Sequence, residues 1–299
     1  MPTLIVLLGP TGVGKTDTGI AVARRLGAEI VSGDSRQIYR EMRIGTAAPT
    51  PEQLAAATHH LVLSHSIHEP CTAGKYEAEA LSLLHRLFAK HEAALLVGGS
   101  GLYIDAVCHG IDAFPETDPA LRATLIAQYK QEGLYPLRQQ LKLLDMESYL
   151  SLDMKNPRRV IRALEVTLAS GKPYSSFKKK FRQPRPFRVV KIGLQRPREA
   201  LYDRINRRTA QMMDEGWLDE ARSLYPFRHL PALNTVGYKE LFDHLDGKTD
   251  LDRAVALISQ HTRNYAKKQY SYWGRYNDIR WMDASEPEKI VSLCLKLIE

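Results

Sequence analysis

Leu4-Ile5-Val6-Leu7-Leu8-Gly9-Pro10-Thr11-Gly12-Val13-Gly14-Lys15-Thr16 is an apolar run that ends in a glycine-rich loop, and a helical pattern starts directly after it. A strand, a loop with three glycines and a helix N-terminus together converge backbone N–H groups on an anion. Lys15 adds a mobile positive charge, and Thr16 offers a hydroxyl for Mg²⁺. The pattern predicts a phosphate-binding loop over residues 9–16 and a parallel sheet whose site lies at the strand C-termini. It leaves open which phosphorylated molecule is held.

Outward from that loop, the first hundred residues alternate strands with helices: strand 4–8, helix 16–26, strand 28–32, helix 76–90, strand 93–97. From about Ile111 the pattern changes to helices without strands, at 118–132, 134–144 and 157–170. Asn156-Pro157 marks a helix start, with Asn at the N-cap and Pro in the first turn. In that helix Val160, Ile161, Leu164 and Leu168 form an apolar stripe, and Arg158 and Arg162, four residues apart, share another face that points outward. A strand returns at 188–194, followed by helices at 198–215, 217–224, about 235–245 and 251–274. The fold class implied is α/β, a P-loop NTPase-like parallel sheet core formed by 1–112 and 188–299, with an inserted all-helical domain at 113–187.

The 299 residues carry a net charge of +8, and 44% are hydrophobic, as in soluble globular proteins. The early apolar run is too short for a membrane span and lacks a signal-peptide pattern, so a cytoplasmic location and no membrane partner are expected. Cys71, Cys108 and Cys294 lack metal-ligand spacing and read as free thiols. Positive charge is concentrated: between positions 178 and 208, twelve Lys or Arg face only Glu199 and Asp203, a local +10 that leaves −2 on the remainder. Beside a phosphate loop, such a run favours a polyphosphate partner, with nucleic acid the first expectation. The segment 178–188, with Pro184 and Pro186, reads as a connector.

Two further motifs end strands on the same side. Ser32-Gly33-Asp34-Ser35-Arg36-Gln37-Ile38-Tyr39 follows the second strand, and if that strand neighbours the first, Asp34 points into the phosphate site. Val97-Gly98-Gly99-Ser100-Gly101-Leu102-Tyr103 ends the strand at 93–97, where most ATP-hydrolysing P-loop proteins place a Mg²⁺-holding Asp. Gly-Gly-Ser in its place argues for phosphate chemistry other than that of an ordinary ATPase.

Taken together with Ile44-Gly45-Thr46, His59-His60-Leu61, the segment 156–165 (Asn-Pro-Arg-Arg-Val-Ile-Arg-Ala-Leu-Glu), Arg204-Ile205, Arg208 and Val236-Gly237-Tyr238, these motifs occur in the order seen in bacterial tRNA dimethylallyltransferases. The chain resembles that family from about Leu4 to Trp281. The resemblance implies transfer of a dimethylallyl group from dimethylallyl diphosphate to N6 of adenosine 37 beside the tRNA anticodon, with Mg²⁺, and a helical insertion that closes over the anticodon stem. Two departures are Ala48, where the family often has Lys, and Cys71-Thr72, where it often has Tyr-Ser.

Under that resemblance, Asp34 is the base that takes the amino proton. The loop residues Gly9, Pro10, Thr11, Gly12, Val13, Gly14, Lys15 and Thr16 hold the diphosphate. Lys15, Arg208 and Mg²⁺ at Thr16 stabilise its developing charge, and Ser100 sits beside the reacting groups. tRNA contacts fall to Asp34, Ser35, Arg36, Gln37 and Ser100 at the adenosine. Arg122, Arg158, Arg159, Val160, Ile161 and Arg162 contact it from the insertion, and Leu233, Asn234, Thr235, Val236, Gly237 and Tyr238 from the core. The expected enzyme is a monomer. The alternatives are an adenylate isopentenyltransferase, whose free-nucleotide acceptor needs no long basic insertion, a P-loop kinase of small metabolites, and a non-enzymatic RNA-binding module, which would leave Asp34 and the loop idle.

Overall fold

The computed structural model describes residues 1–178 and 184–298. Two compact units result: Met1–His109 with Pro184–Glu299, and Gly110–Gln183. In the first, the chain runs β1 (Thr3–Leu8), α1 (Lys15–Leu26), β2 (Ile30–Ser32), α2 (Pro51–Ala56), β3 (His59–His60), α3 (Ala73–Phe88), β4 (Ala93–Gly98) and α4 (Gly101–His109). The second unit holds α5 (Pro119–Glu132), α6 (Tyr135–Leu144), α7 (Met146–Ser151) and α8 (Pro157–Ser170). The chain then returns to the first with β5 (Arg188–Gln195), α9 (Arg198–Asp214), α10 (Trp217–Leu224), α11 (Tyr238–Leu245), α12 (Leu251–Trp273), β6 (Ile279–Asp283) and α13 (Pro287–Lys296).

The strands form one parallel sheet in the order β3-β2-β4-β1-β5-β6. β1 is central because both its faces are apolar. Leu4, Val6 and Leu8 pack with Tyr76, Ile104 and Trp273 on one side, and Ile5 and Leu7 pack with Ile20, Ile205 and Ile290 on the other. Strands buried on both faces read as unbroken apolar runs, and each such side chain contributes about 1.5–3 kcal/mol.

The order corrects one expectation: β2 is not the neighbour of β1. β4 lies between them, paired along its full length with β1, from Thr3↔Ala93 to Leu8↔Gly98, and with β2 through Ser32↔Val97. With six apolar residues β4 fills a central position that the three-residue β2 does not. The turn after β4 therefore stands between Asp34 and the phosphate loop. Among the elements without a clear sequence signal are α4, α7, β6 and α13. β6 is an edge strand with Arg280 exposed, so its alternation is weak.

The insertion has its own core of Leu125, Leu137, Leu141, Val160, Ile161, Ala163 and Leu164. α8 begins at the expected cap, where Asn156 Oδ1 accepts the Arg158 N–H at 3.1 Å, and ends at Gly171, whose φ of 67° a Cβ would resist. Leu168 departs from the stripe and is exposed. The unit ends earlier than 187 because Arg185 and Phe187 belong to the core. Arg185 donates to the Val107 carbonyl at 2.8 Å and to Glu77 at 2.5 Å, and Phe187 packs on Phe88. Within the basic connector, residues 179–183 lie outside the described residues. No helix among the described residues is long and apolar enough to cross a membrane.

Candidate functional site

The loop between β1 and α1 takes its shape from glycine. Gly9 (φ 151°) and Gly12 (φ 80°) occupy backbone conformations that disfavour a side chain, and a Cβ on Gly9 would lie 2.7 Å from the Leu194 carbonyl oxygen. Among the described residues the amides of Gly12, Gly14, Lys15 and Thr16 have no protein acceptor, which leaves four N–H groups at the start of α1 for an anion. The Thr11 amide is different: it donates to Gln269 Oε1 at 2.9 Å. Lys15 folds back, its Nζ donating to the Pro10 carbonyl at 2.8 Å and the Gly9 carbonyl at 3.1 Å.

Three arginines surround this loop. Arg208 Nη2 donates to Thr11 Oγ1 at 2.5 Å, Arg204 Nε to the Gly12 carbonyl at 2.9 Å, and Arg196 Nε to the Val13 carbonyl at 2.9 Å. The basic run from 178 to 208 thus has a meaning the sequence reading did not assign. Arg188 and Lys191 are also internal, Arg188 bonding Thr3 Oγ1 at 3.2 Å and the buried Lys191 ion-pairing with Asp278 at 3.0 Å. These side chains build the core and the phosphate loop, so they are not part of a surface that a nucleic acid could meet.

Asp34 stands at the end of β2, where its Oδ1 accepts the N–H of Arg36 at 2.8 Å and of Gln37 at 3.3 Å. Its Oδ2 accepts no hydrogen bond among the described residues. Ser100 Oγ accepts the Ser35 N–H at 2.9 Å and donates to Ser35 Oγ at 3.1 Å, joining this turn to the one after β4. Lys15 lies within electrostatic range of both Asp34 and Arg208. Burial pushes the Lys15 ammonium down to about 8, opposed by Asp34 and assisted by Arg208. Burial likewise depresses Arg208, with Asp34 opposing. The structure therefore brings together Lys15, Asp34, Arg208, Ser100 and the loop amides at one sheet edge.

Other sequence-predicted residues have different surroundings. Arg36 Nη1 is bound to the Ala232 carbonyl at 3.1 Å, and Gln37 Nε2 to the Ala47 carbonyl at 2.8 Å. Leu233, Gly237 and Tyr238 are buried, and so are Val160 and Ile161 in the insertion core. Side-chain contact with a macromolecule from Leu233, Tyr238, Val160 and Ile161 is corrected on that ground, and Gly237 has only backbone to offer. Asn234 is exposed, and Thr235 and Val236 are half-buried. Arg162, expected to face outward, and Arg122, expected at the tRNA, both pair with Glu165, at 3.2 and 2.7 Å. Arg158 and Arg159 are exposed and without an ion-pair partner among the described residues. Glu165 is 3% exposed. Burial opposes its ionisation, yet the Thr117 hydroxyl with Arg122 and Arg162 holds it below the usual glutamate range.

Two site residues on α12 escaped the sequence reading. Gln269, buried, links the Thr11 amide to the Gly99 carbonyl, to which its Nε2 donates at 2.9 Å. Tyr265 is 42% exposed, but its hydroxyl lies against Ser100 in the field of Asp34, and desolvation of that hydroxyl together with the carboxylate pushes it up to about 12. The signal for Gln269 was its place on the buried face between Ala266 and Trp273, where an amide requires partners. The aromatic and basic stretch 263–275 otherwise packs: Trp273 is fully buried, and Tyr272 donates its hydroxyl to Asp105.

With this geometry established, three comparisons bear on the chain. Residues 37–276 match the family model described as IPP transferase. The chain is 50% identical to tRNA dimethylallyltransferase 1 of Bacteroides thetaiotaomicron, over 97% of this chain and 94% of the relative. It is 52% identical to tRNA dimethylallyltransferase 2 of Porphyromonas gingivalis, over 93% of each. The crystal structure of the full-length tRNA isopentenylpyrophosphate transferase from Bacillus halodurans superposes with a TM-score of 0.74 at 34% identity, covering 100% of this chain and 97% of that one.

Proposed function

The chain belongs to the IPP transferase family, and we propose that it transfers a dimethylallyl group from dimethylallyl diphosphate to N6 of adenosine 37 in tRNA, releasing diphosphate. The observation that carries this reading is the pairing, at one sheet edge, of an anion cradle with a carboxylate whose second oxygen has no donor among the described residues.

Adenine N6 is a weak nucleophile because its lone pair is delocalised into the ring. As its bond to the allylic carbon forms, an amino proton passes to Asp34 Oδ2, while the allylic C–O bond breaks and its electron pair goes to diphosphate. The free amides of Gly12, Gly14, Lys15 and Thr16 receive that charge, with Lys15 released from its contacts to Gly9 and Pro10 and Arg208 held at Thr11. The residues fit a cation carried on the diphosphate. No group of three His, Cys, Asp or Glu able to hold a metal exists among the described residues, whereas the Thr16 hydroxyl makes no protein hydrogen bond among them. Mg²⁺ bound there would supply charge neutralisation on the leaving group.

The acceptor base must leave its stack to reach Asp34. Arg158 and Arg159, without carboxylate partners among the described residues, suit phosphates of the anticodon stem and so affinity more than sequence choice. The enzyme acts as a monomer in this reading. The test supplies labelled dimethylallyl diphosphate with an anticodon stem-loop containing A36-A37-A38: label is expected on A37. Label on free AMP alone, or transfer of the γ-phosphate of ATP, overturns the reading. Asp34→Asn is expected to retain stem-loop binding while turnover collapses.

A further inference from the structure

We propose that Glu220 is a positioning residue for the Asp34 carboxylate, acting through the loop at 43–47 and through Gln37. The inference rests on the role proposed for Asp34. α10 directs Glu220 at the start of that loop, where Oε2 accepts the N–H of Arg43 at 2.9 Å and of Ile44 at 2.8 Å, and Oε1 that of Gly45 at 2.8 Å. The fully buried Tyr238 donates its hydroxyl to Oε1 at 2.6 Å. One carboxylate thus satisfies four donors, and hydrogen bonds to an ionised acceptor are about twice as strong as neutral ones.

The chain of contacts continues to the site. The carbonyls of Thr46 and Ala47 accept from Gln37 Nε2 at 3.3 and 2.8 Å, and the Gln37 N–H donates to Asp34 Oδ1 at 3.3 Å. There is little slack along it. A Cβ on Gly45 would meet Trp217 Nε1 at 2.2 Å and the Tyr238 ring at 2.5 Å. Ala47 has φ 49°, and Leu63, whose N–H donates to the Gln37 carbonyl at 2.8 Å, has φ 50°. Non-glycine residues persist in that region only where their surroundings hold them. Gln37 is therefore braced at its side chain and its main chain by strained segments, one of them anchored on Glu220. Fixing Oδ1 aims Oδ2, and a reacting group misplaced by about 1 Å can cost about a hundredfold in rate.

Glu220→Gln preserves shape but turns one accepting oxygen into an NH₂ group that faces N–H donors. The expected result is a kcat for prenyl transfer lowered about ten- to a hundredfold, with stem-loop affinity, allylic diphosphate affinity and Tm near those of the unaltered enzyme. Tyr238→Phe, which removes one of the four donors and keeps the ring, should lower kcat less and in the same direction. Because both residues act on one carboxylate, Gln37→Ala added to Glu220→Gln should slow the enzyme no further than the slower single change. Unchanged kcat, multiplicative losses, or a parallel fall of binding and Tm overturns the proposal. Asp34→Asn is assayed alongside. Its near-normal turnover would refute the base, whereas its collapse with multiplicative losses in the Glu220 and Gln37 pair refutes the positioning role alone.

Discussion

Arginines on α9 and on α8 both come from basic motifs read in the sequence, yet they are set differently. Arg204 and Arg208 are each locked onto a phosphate-loop atom, at 2.9 and 2.5 Å, while Arg158 and Arg159 project from α8 without a carboxylate partner among the described residues. Fixed cations suit charge that develops at one point during a reaction, because no reorganisation is needed when it appears. Exposed, unpaired cations suit a polyanion surface, where they raise affinity through counterion release. Between these extremes Arg122 and Arg162 share the buried Glu165, so part of the insertion's positive charge holds the insertion together.

The sharpest way to break the comparison is to remove a cation at the phosphate loop. Lys15→Ala or Arg208→Ala should lower kcat about a hundred- to a thousandfold, roughly 3–4 kcal/mol, with little change in stem-loop binding. Single-turnover kinetics with a separate binding assay decides it. An equal loss of both would place Arg208 with the surface cations.

The insertion offers a test of stability. Glu165→Gln should destabilise it by about 2 kcal/mol, since two partly exposed guanidinium groups lose an ionised acceptor. Denaturation monitored in α5 and α8 reports it. Glu165 is held below the ordinary glutamate range, so its contribution is complete above that range and is lost as the pH falls through its depressed value.

Lys15 gives a pH signature that the exposed arginines lack. Its ammonium, at about 8 by burial, discharges as the pH rises through that value. kcat/KM for the allylic diphosphate should therefore decline above pH 8, by up to about tenfold per unit, while stem-loop affinity stays flat. A profile level to pH 10 would show that Lys15 keeps its proton or does not meet the diphosphate.

The smallest effect belongs to the surface set. Arg158→Ala with Arg159→Ala should raise the stem-loop KM several-fold, leave kcat in place and reduce the salt slope by about 1 per lost phosphate contact. Unchanged salt dependence removes α8 from the tRNA surface.

Much of the core was legible because its signals are local. The run 4–8 with its glycine-rich loop, the cap at Asn156-Pro157 and the return to a strand at Arg188 each follow from short-range geometry, and α8 and α10 span the residues their apolar spacing predicts. Asp34 was legible as a polar residue at a strand end. β6 and α13 were missed because an edge strand and a short terminal helix leave a weak periodic trace. Val160 and Ile161 were placed at the tRNA through the motif they share with arginines, although their own apolar character put them in a core.

By itself the sequence determined that an anion cradle opens a parallel α/β core and that a helical segment interrupts it, and it offered Lys15 and Asp34 as groups with chemistry, while Ser100 and Arg208 entered through the family resemblance. Backbone torsion, apolar period and side-chain type are properties of neighbours in the chain, so they can be read without a fold. Tertiary structure alone decided that β4 separates β2 from β1, that Gln269 takes the Thr11 amide, that Glu220 anchors the loop behind Gln37, and that Arg196, Arg204 and Arg208 of the basic run face the phosphate loop. Each of these pairs residues distant in sequence. Which polar groups meet is set by how the sheet and helices bury their apolar faces, and a buried polar group then takes whatever partner that packing brings within reach.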